Sequence, residues 1–279
     1  MIAPSLVESE LLKVVATLPA SPQLLAELGP RLQGADVELS EVTALLRRDV
    51  GLTARLIGMA NSAAYARSEP AASLEDAVAC VGYREVYRLV GAVAATQLAD
   101  ERLGYYGVDG RRLRENALFV ALVMEELAES VGADSRAAYT MGLLRSVGKV
   151  ALDRLARKNP AIQPFDPGTG SLTDWERAHW GCTNVEVAGK ILRGWRFPDE
   201  TIAAIGNHYE PAGQPAASIH LLNMAAGAAD LRGFALPGEE SYWQFSEENF
   251  TRTGVDQGKL VWAGERAFRT LEKICSALG

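Results

Sequence analysis

Cysteine is scarce in this sequence, and the three that occur, Cys80, Cys182 and Cys275, lie far apart. They form no CxxC pair, and an odd number cannot all pair within one chain. Widely spaced, unpaired cysteines are typical of proteins that stay in a reducing compartment. We therefore expect three ordinary thiols and a cytoplasmic location.

Long apolar runs are also missing. The longest, Ala117 to Met124, is far shorter than the roughly 20 residues that a membrane-spanning helix needs. The N-terminal residues lack the basic segment and apolar core of a secretory signal. The formal net charge of −7 argues weakly against non-specific binding to nucleic acid or to anionic membranes. We expect neither a membrane nor a nucleic acid as a partner.

Helical periodicity runs through most of the chain. Between Ser40 and Ser62 the apolar residues recur at three- and four-residue steps, as a buried helix face requires. Gly51 is expected to separate two helices there, with Ser40 as the N-cap of the first. Ser73 is expected to begin another helix, which ends at Gly82. Further helices are predicted over residues 85–98, 113–131 and 135–155. No stretch alternates strictly, so the predicted fold is all-α.

Segments rich in glycine and proline mark the expected joints. GYYGVDG, at residues 104–110, is predicted to link an N-terminal helical half (about 1–104) to a second half (about 108–279). Residues 159–170 hold three prolines and two glycines, too many for a helix interior. No repeat is evident. We expect both halves to pack as one unit over residues 1–279.

Several motifs occur in an order that is characteristic of one family. They are LPASP (18–22), RDVGLTARLI (48–57), ANSAAY (60–65), SLEDA (73–77), VG (81–82), WRFP (195–198) and His208. Together they resemble the HDOD family, bacterial signalling modules related to HD-type metal-dependent phosphohydrolases, over about residues 12–215. The resemblance implies a multi-helix HD-like fold, in which an N-terminal helical subdomain packs on a degenerate HD-like subdomain.

The stretch LLRSVGK (143–149) departs from the hydrolase pattern. The resemblance places Arg145 and Ser146 where the hydrolases carry the His-Asp pair that holds metal. The other positions that it assigns to metal ligands carry Asn116, Asn184, Asn207, His208 and Asn223. A guanidinium has no lone pair to offer, and an amide oxygen ligates Mg²⁺ or Ca²⁺ acceptably only beside carboxylates. We expect no catalytic residue, no bound metal and no cofactor.

Two interpretations of these positions stay open if their side chains converge. One is a self-satisfied hydrogen-bond network in the place of the metal. The other is a pocket for a nucleotide or another small anion, with Arg145 and Lys149 one helical turn apart as the binding groups. The first is favoured.

The predicted function is therefore regulatory. We expect a non-catalytic bacterial signal-transduction protein that acts through protein–protein contacts with signalling proteins encoded separately. The alternative is a sensor of a nucleotide or small anion, and a residual metal-dependent phosphohydrolase is the least favoured. Tyr and Arg are enriched at interface hot spots. The candidate partner contacts are Asn61, Tyr65 and Arg67, where the two halves are expected to meet.

Overall fold

A computed structural model describes residues 4–19, 21–32, 37–63, 65, 70–99, 102–159 and 161–278. Within these residues the regular structure is helical, apart from one isolated β-bridge between Leu103 and Val108. The predicted all-α fold is confirmed. In the same residues, no helix has both the length and the apolar character needed to cross a membrane.

The first part of the chain is a group of mostly short helices. They are α1 (Pro4–Val15), α2 (Ser21–Arg31), α3 (Leu39–Leu46), α4 (Val50–Ala60), α5 (Leu74–Val81) and α6 (Tyr83–Leu98). Helix α6 is the longest of them and is buried along most of its length. It contacts α2, α4 and α5, so these three helices pack against it.

Two helices do occupy the region between Ser40 and Ser62, but the break lies before Gly51. Asp49 caps α4, because its carboxylate accepts a hydrogen bond from a backbone N–H of the first turn (2.9 Å). The prediction of Ser40 as an N-cap is wrong, since the residue that precedes α3 is Glu38. Glu38 makes no capping hydrogen bond with its side chain, so this helix begins without the side-chain cap that a Ser would signal in the sequence.

The predicted helix start at Ser73 is confirmed. The Ser73 hydroxyl accepts from the backbone N–H of Asp76 (3.0 Å), and the Asp76 carboxylate accepts from the backbone N–H of Ser73 (3.0 Å). This reciprocal capping box satisfies two N–H groups that the helix leaves free. Gly82 ends α5 with a φ of 81°, a conformation that favours glycine.

The second part of the chain surrounds one central helix. Its helices are α7 (Gly110–Ser130), α8 (Ser135–Leu144), α9 (Val147–Ala156), α10 (Leu172–Trp180), α11 (Asn184–Gly194), α12 (Asp199–Asn207), α13 (Ala217–Leu231), α14 (Glu247–Thr253) and α15 (Gln257–Leu278). Helix α7 is buried over most of its length and contacts α6, α8, α13 and α15. It thus joins the first group of helices to the second.

The segment predicted as one helix over residues 135–155 is two helices, α8 and α9, which part at Arg145 and Ser146. Each has a glycine at a close helix contact. A Cβ on Gly142 would lie 2.6 Å from the Cα of Ala121 in α7, and one on Gly148 would lie 1.9 Å from the carbonyl oxygen of Asn184 in α11. The break therefore lies between two tightly packed helix crossings, which periodicity could not reveal.

The segment predicted as a linker, residues 104–110, is a packed turn. It contains a short 3-10 helix (Gly104–Tyr106), and the backbone N–H of Leu103 donates to the carbonyl of Val108 (2.8 Å). The side chain of Tyr106 is buried. The division of the chain into two halves at this point stays a prediction.

Candidate functional site

Two cationic side chains lie in the interior where α8 meets α9. Arg145 and Lys149 are each 1% exposed, and their counter-ion is Glu239, which is buried to the same degree. Arg145 Nη1 donates to Glu239 Oε1 (3.0 Å) and Nη2 lies 2.9 Å from Oε2, while Lys149 Nζ donates to Oε1 (2.5 Å). A buried charge needs such a partner, because leaving water is costly for an ion.

Neutral side chains complete the surroundings of this ion cluster. The Tyr209 hydroxyl donates to Glu239 Oε1 (2.7 Å). Asn116 accepts from Arg145 Nη2 at its Oδ1 (2.7 Å) and donates from its Nδ2 to the carbonyl of Phe234 (2.6 Å). Asn116 is thus committed on both sides, and it ties the central helix α7 to the ion cluster.

A second buried carboxylate, Glu176 of α10, lies beside the ion cluster. It accepts hydrogen bonds from the Tyr106 hydroxyl (2.7 Å), from the backbone N–H of Asn184 (2.8 Å) and from Asn184 Nδ2 (3.1 Å). Asn184 Nδ2 also approaches the Tyr209 hydroxyl (3.5 Å). The two carboxylates thus belong to one continuous polar network, to which α7, α8, α9, α10 and α11 contribute.

The electrostatics keep Glu239 ionised. Burial raises the pKa of a carboxyl group, but Arg145 and Lys149 more than offset that effect and hold the pKa of Glu239 well below its usual range. Glu176 behaves differently: burial raises its pKa, against the hydrogen bonds from Asn184 and Tyr106. The network therefore contains Glu239, which stays ionised, and Glu176, whose ionised form is less favourable.

His208 is fully buried and neutral. Burial, and next the nearby charge of Arg145, lower its pKa to about 3. Its Nδ1 lies 2.8 Å from the carbonyl of Ile205 and therefore donates to it, which leaves Nε2 as an acceptor without a partner among the described residues. The ring of Trp243 lies near both His208 (6.1 Å between centroids) and the Arg145 guanidinium (5.4 Å).

The other predicted positions have separate roles. Asn207 is partly exposed and donates to the carbonyl of Ala203 in its own helix (2.8 Å). The Ser146 hydroxyl has no described partner, and Ser146 lines a very small apolar cavity between α6, α7 and α9. Asn223 donates to the carbonyls of His208 and Tyr242 (both 2.8 Å), so it anchors the chain just beyond Glu239.

Of the eight predicted site positions, the structure brings Asn116, Arg145, Lys149 and Asn184 into one network, with His208 beside it through Trp243. Sequence reasoning missed the other members: Tyr106, Glu176, Tyr209 and Glu239. Two buried cations require a buried anion, and that requirement is a signal. It could not say which of the 35 acidic residues supplies the charge.

The donor set does not fit a divalent metal. Among the described residues, no group of three or more His, Cys, Asp or Glu side chains is arranged to hold one. The Glu239 carboxylate already serves two cations, and the positive charges of Arg145 and Lys149 would repel a third. We therefore derive no catalytic step through a metal.

The three candidate partner contacts follow α4 in the sequence. Asn61 closes a loop, because its side chain donates to the carbonyl of Ala71 (2.9 Å) and accepts from the N–H of the same residue (2.7 Å). Tyr65 is half-buried, and Lys273 Nζ of α15 lies 3.8 Å from its ring centroid. Arg67 lies outside the described residues. Asn61 and Tyr65 thus have intramolecular roles, and a contact with a partner stays a prediction.

Solved structures of bacterial proteins share this fold. An HDOD domain protein with unknown function from Geobacter sulfurreducens matches with a TM-score of 0.70 at 20% identity, over 97% of this chain and 98% of its own. A "Putative signal transduction protein" from Marinobacter aquaeolei VT8 gives 0.68 at 19% identity, over 99% of this chain and 66% of its own. A "Putative phosphohydrolase" from Shewanella amazonensis SB2B gives 0.64 at 23% identity, over 96% and 97%. At these identities the likeness concerns the fold.

Sequence comparison leads to the family. An uncharacterized protein of Treponema pallidum (strain Nichols) is 26% identical over 235 residues, which are 81% of this chain and 44% of that protein. The chain thus spans less than half the length of this relative. The HDOD domain family model matches residues 18–211, more than half of the chain. The chain belongs to the HDOD domain family.

Proposed function

We propose that this chain is a non-catalytic signalling protein that acts through contacts with other proteins. The observation that carries the proposal is the buried ion cluster of Arg145, Lys149 and Glu239. It includes a position, Arg145, that the resemblance to HD hydrolases assigns to a metal ligand. Membership of the HDOD family and the name of the Marinobacter protein support the signalling context.

The remaining titratable groups are poorly suited to hydrolysis at neutral pH. An effective general base has a pKa near the working pH and a free lone pair. The pKa values of Glu239 and His208 lie far below neutrality, so both bind protons weakly. Glu176 has a raised pKa, but it is fully buried and already accepts three hydrogen bonds. None of the three is arranged to activate water.

Metal content and turnover, measured on the same preparation, test this proposal. We expect substoichiometric iron, manganese and zinc, and no hydrolysis of bis-p-nitrophenyl phosphate, cyclic dinucleotides or nucleotides above a mock purification. One tightly bound transition metal per chain, lost in His208→Ala, would contradict the proposal. Metal-dependent turnover by the wild type would contradict it equally.

A restoration variant sharpens that test. Arg145→His with Ser146→Asp returns the His-Asp pair, but Asn116, Asn184 and Asn223 still present amides. We expect the double variant to stay inactive with added Mn²⁺ or Fe²⁺. Activity in this variant, but not in the wild type, would mean that only the His-Asp pair had been lost.

The contacts of Glu239 favour the network interpretation over an anion pocket. An incoming phosphate would have to displace a carboxylate that has three hydrogen-bond donors at one of its oxygens. We therefore expect nucleotides, cyclic dinucleotides and inorganic phosphate to leave the melting temperature unchanged. A saturable rise of several degrees with one of them, absent in Arg145→Met, would favour the sensor instead.

A further inference from the structure

The region of α13, α14 and α15 carries most of the exposed large apolar side chains of the described residues. Five of the seven large hydrophobic side chains that are exposed in the described part of the chain lie there: Leu231, Phe245, Val261, Trp262 and Phe268. Leu231 is 75% exposed and Val261 is 51% exposed. Scattered exposed apolar residues are normal in soluble proteins, whereas a contiguous group marks a binding surface.

Three of these side chains surround a cavity. Leu231 of α13, Phe245 in the segment before α14, and Val261 of α15 line a space of about 330 Å³, which we name the C-terminal groove. This volume is at the lower end of the range of ligand sites. All of its lining residues lie beyond the family match at residues 18–211, so the groove lies outside the degenerate metal site and the HDOD motifs.

The apolar surface continues past the groove along α15. Phe268 lies two helical turns after Val261 and thus on the same face of the helix, whereas Trp262 lies about 100° around the helix, with the Arg266 guanidinium 4.8 Å from its ring centroid. A small molecule in the groove would leave the Phe268 ring exposed to water. An elongated occupant, such as a helix laid along α15, would cover the groove and this ring together.

One charged side chain lies at the groove. Arg232, at the end of α13, is exposed and lines the cavity. Its guanidinium makes no ion pair or side-chain hydrogen bond with the described residues, unlike the nearby Arg266, which pairs with Glu126 (2.8 Å). A free guanidinium at the edge of an apolar groove complements a carboxylate.

We propose that the C-terminal groove binds an amphipathic helical segment of a partner protein. The segment would place apolar side chains in the cavity and against Phe268, and an Asp or Glu against Arg232. This proposal rests on the proposed function, because it names a surface for the protein–protein contacts.

A peptide library encoding helical segments, selected against the full chain, tests the proposal. We expect enriched peptides to carry apolar residues at i, i+3 or i+4 and i+7, together with an acidic residue. Binding of a synthetic enriched peptide, measured by fluorescence anisotropy, should weaken at least about tenfold in Val261→Asp and in Arg232→Glu. Exchanging the acidic residue of the peptide for Arg should restore binding to Arg232→Glu.

Val50→Asp is the matched control, since Val50 is also an exposed valine (80%) but lies at the start of α4. It should bind the peptide like the wild type. Enriched peptides that ignore Val261→Asp, or that lack an acidic residue, would overturn the proposal. So would a wild-type dimer that Val261→Asp dissociates in sedimentation, because the occupant would then be a second copy.

The two proposals can fail separately. If the wild type shows metal-dependent turnover and the peptide still binds as proposed, the proposed non-catalytic function is wrong and the proposal for the groove stands. If peptides bind the wild type and only Val50→Asp weakens their binding, the proposal for the groove is wrong and a function in protein contacts stands. Selection that yields no specific peptide would count against both.

Discussion

At the scale of single residues, Glu239 balances two cations that the interior could not otherwise hold. The side chains of Arg145 and Lys149 are almost completely removed from water, and their main compensation is the Glu239 carboxylate, with the amide oxygen of Asn116 at Arg145. The Tyr209 hydroxyl in turn donates to the carboxylate. Removing one partner of a buried ion pair is strongly destabilising, because the other charge then stays buried without a counter-ion. The structure of this site therefore depends on Glu239.

Replacing Glu239 tests that dependence. Glu239→Gln keeps the size of the side chain but removes its charge, so Arg145 and Lys149 lose their counter-ion. We expect the free energy of unfolding, measured by urea denaturation, to fall by about 3–5 kcal/mol. Glu240→Gln is the matched control: its side chain is exposed, and the change should stay within about 0.5 kcal/mol. If Glu239→Gln also changed the free energy of unfolding by no more than about 0.5 kcal/mol, the ion cluster would add little stability.

His208 gives the stability of the fold a dependence on pH. Its pKa in the folded chain is about 3, below the ordinary value of 6.5, so the unfolded chain binds a proton in that interval that the folded chain does not. The free energy of unfolding should therefore fall as the pH drops below about 6.5, by up to about 1.4 kcal/mol per pH unit. In His208→Gln, which cannot titrate, the slope between pH 6 and pH 5 should be clearly shallower. Parallel slopes would mean that His208 is not the group responsible.

The chemistry of single side chains decides how much of the site could be predicted from the sequence. The resemblance assigns Arg145 to a metal-ligand position, and a guanidinium cannot ligate a metal, so the sequence predicts a site without one, and this stays a prediction. The position of Glu239 could not be predicted, since it lies more than 90 residues away in a segment without a motif. Asn207 was grouped with the site by the resemblance, yet its side chain bonds its own helix.

At the scale of elements, the crossing of α9 over α11 is unusually close. Gly148 faces the backbone of α11 with no space for a Cβ: the carbonyl oxygen of Asn184 would lie at 1.9 Å and the backbone nitrogen of Ala188 at 2.9 Å. Backbone atoms cannot move aside as the end of a flexible side chain can. This contact also sets the position of Lys149, the next residue, relative to Asn184.

Gly148→Ala should therefore be destabilising although alanine favours helices. We expect the added methyl group to separate α9 from α11 and to lower the free energy of unfolding by about 1–3 kcal/mol or more. Gly58→Ala is the matched control, because Gly58 lies within α4 and a Cβ there would meet nothing within 4 Å. That change should raise stability by roughly 0.5–1 kcal/mol. Two melting curves that shift in the same direction would contradict this argument.

The periodicity of apolar residues was sufficient for the helical class and for the helices between residues 39 and 130, including the long α7. It failed where a boundary depends on tertiary contacts. Residues 135–155 keep an apolar period through Arg145 and Ser146, because both α8 and α9 are almost wholly buried. A period reports which side of a helix is buried, and it carries little information when every side is.

At the scale of the molecule, an ionic junction connects α6 and α15 to the central helix α7. The side chain of Arg88 in α6 is 9% exposed and lies 2.8 Å from Glu125 and 3.5 Å from Glu126 of α7. Glu126 also pairs with Arg266 of α15 (2.8 Å). Apolar residues from α1 to α15 form one continuous core around this junction. These connections link the first group of helices to the second.

We therefore expect the chain to unfold in one cooperative transition. In differential scanning calorimetry the calorimetric and van't Hoff enthalpies should agree, as two-state unfolding requires. Arg88→Met should lower the free energy of unfolding in this transition by about 1.5–3 kcal/mol, because Glu125 and Glu126 lose a buried partner. Arg84 still pairs with Glu125 (3.0 Å) and Arg266 with Glu126 (2.8 Å), so neither carboxylate is left alone. Arg111→Met is the matched control, since Arg111 forms an exposed pair with Glu115 (2.7 Å) that solvent screens, and this change should leave the transition almost unmoved. Two separate transitions in the wild type would contradict this expectation and would support two halves that fold independently, with the boundary near residues 104–108. Two transitions in Arg88→Met alone would instead show that the junction on α7 is what makes the halves cooperative.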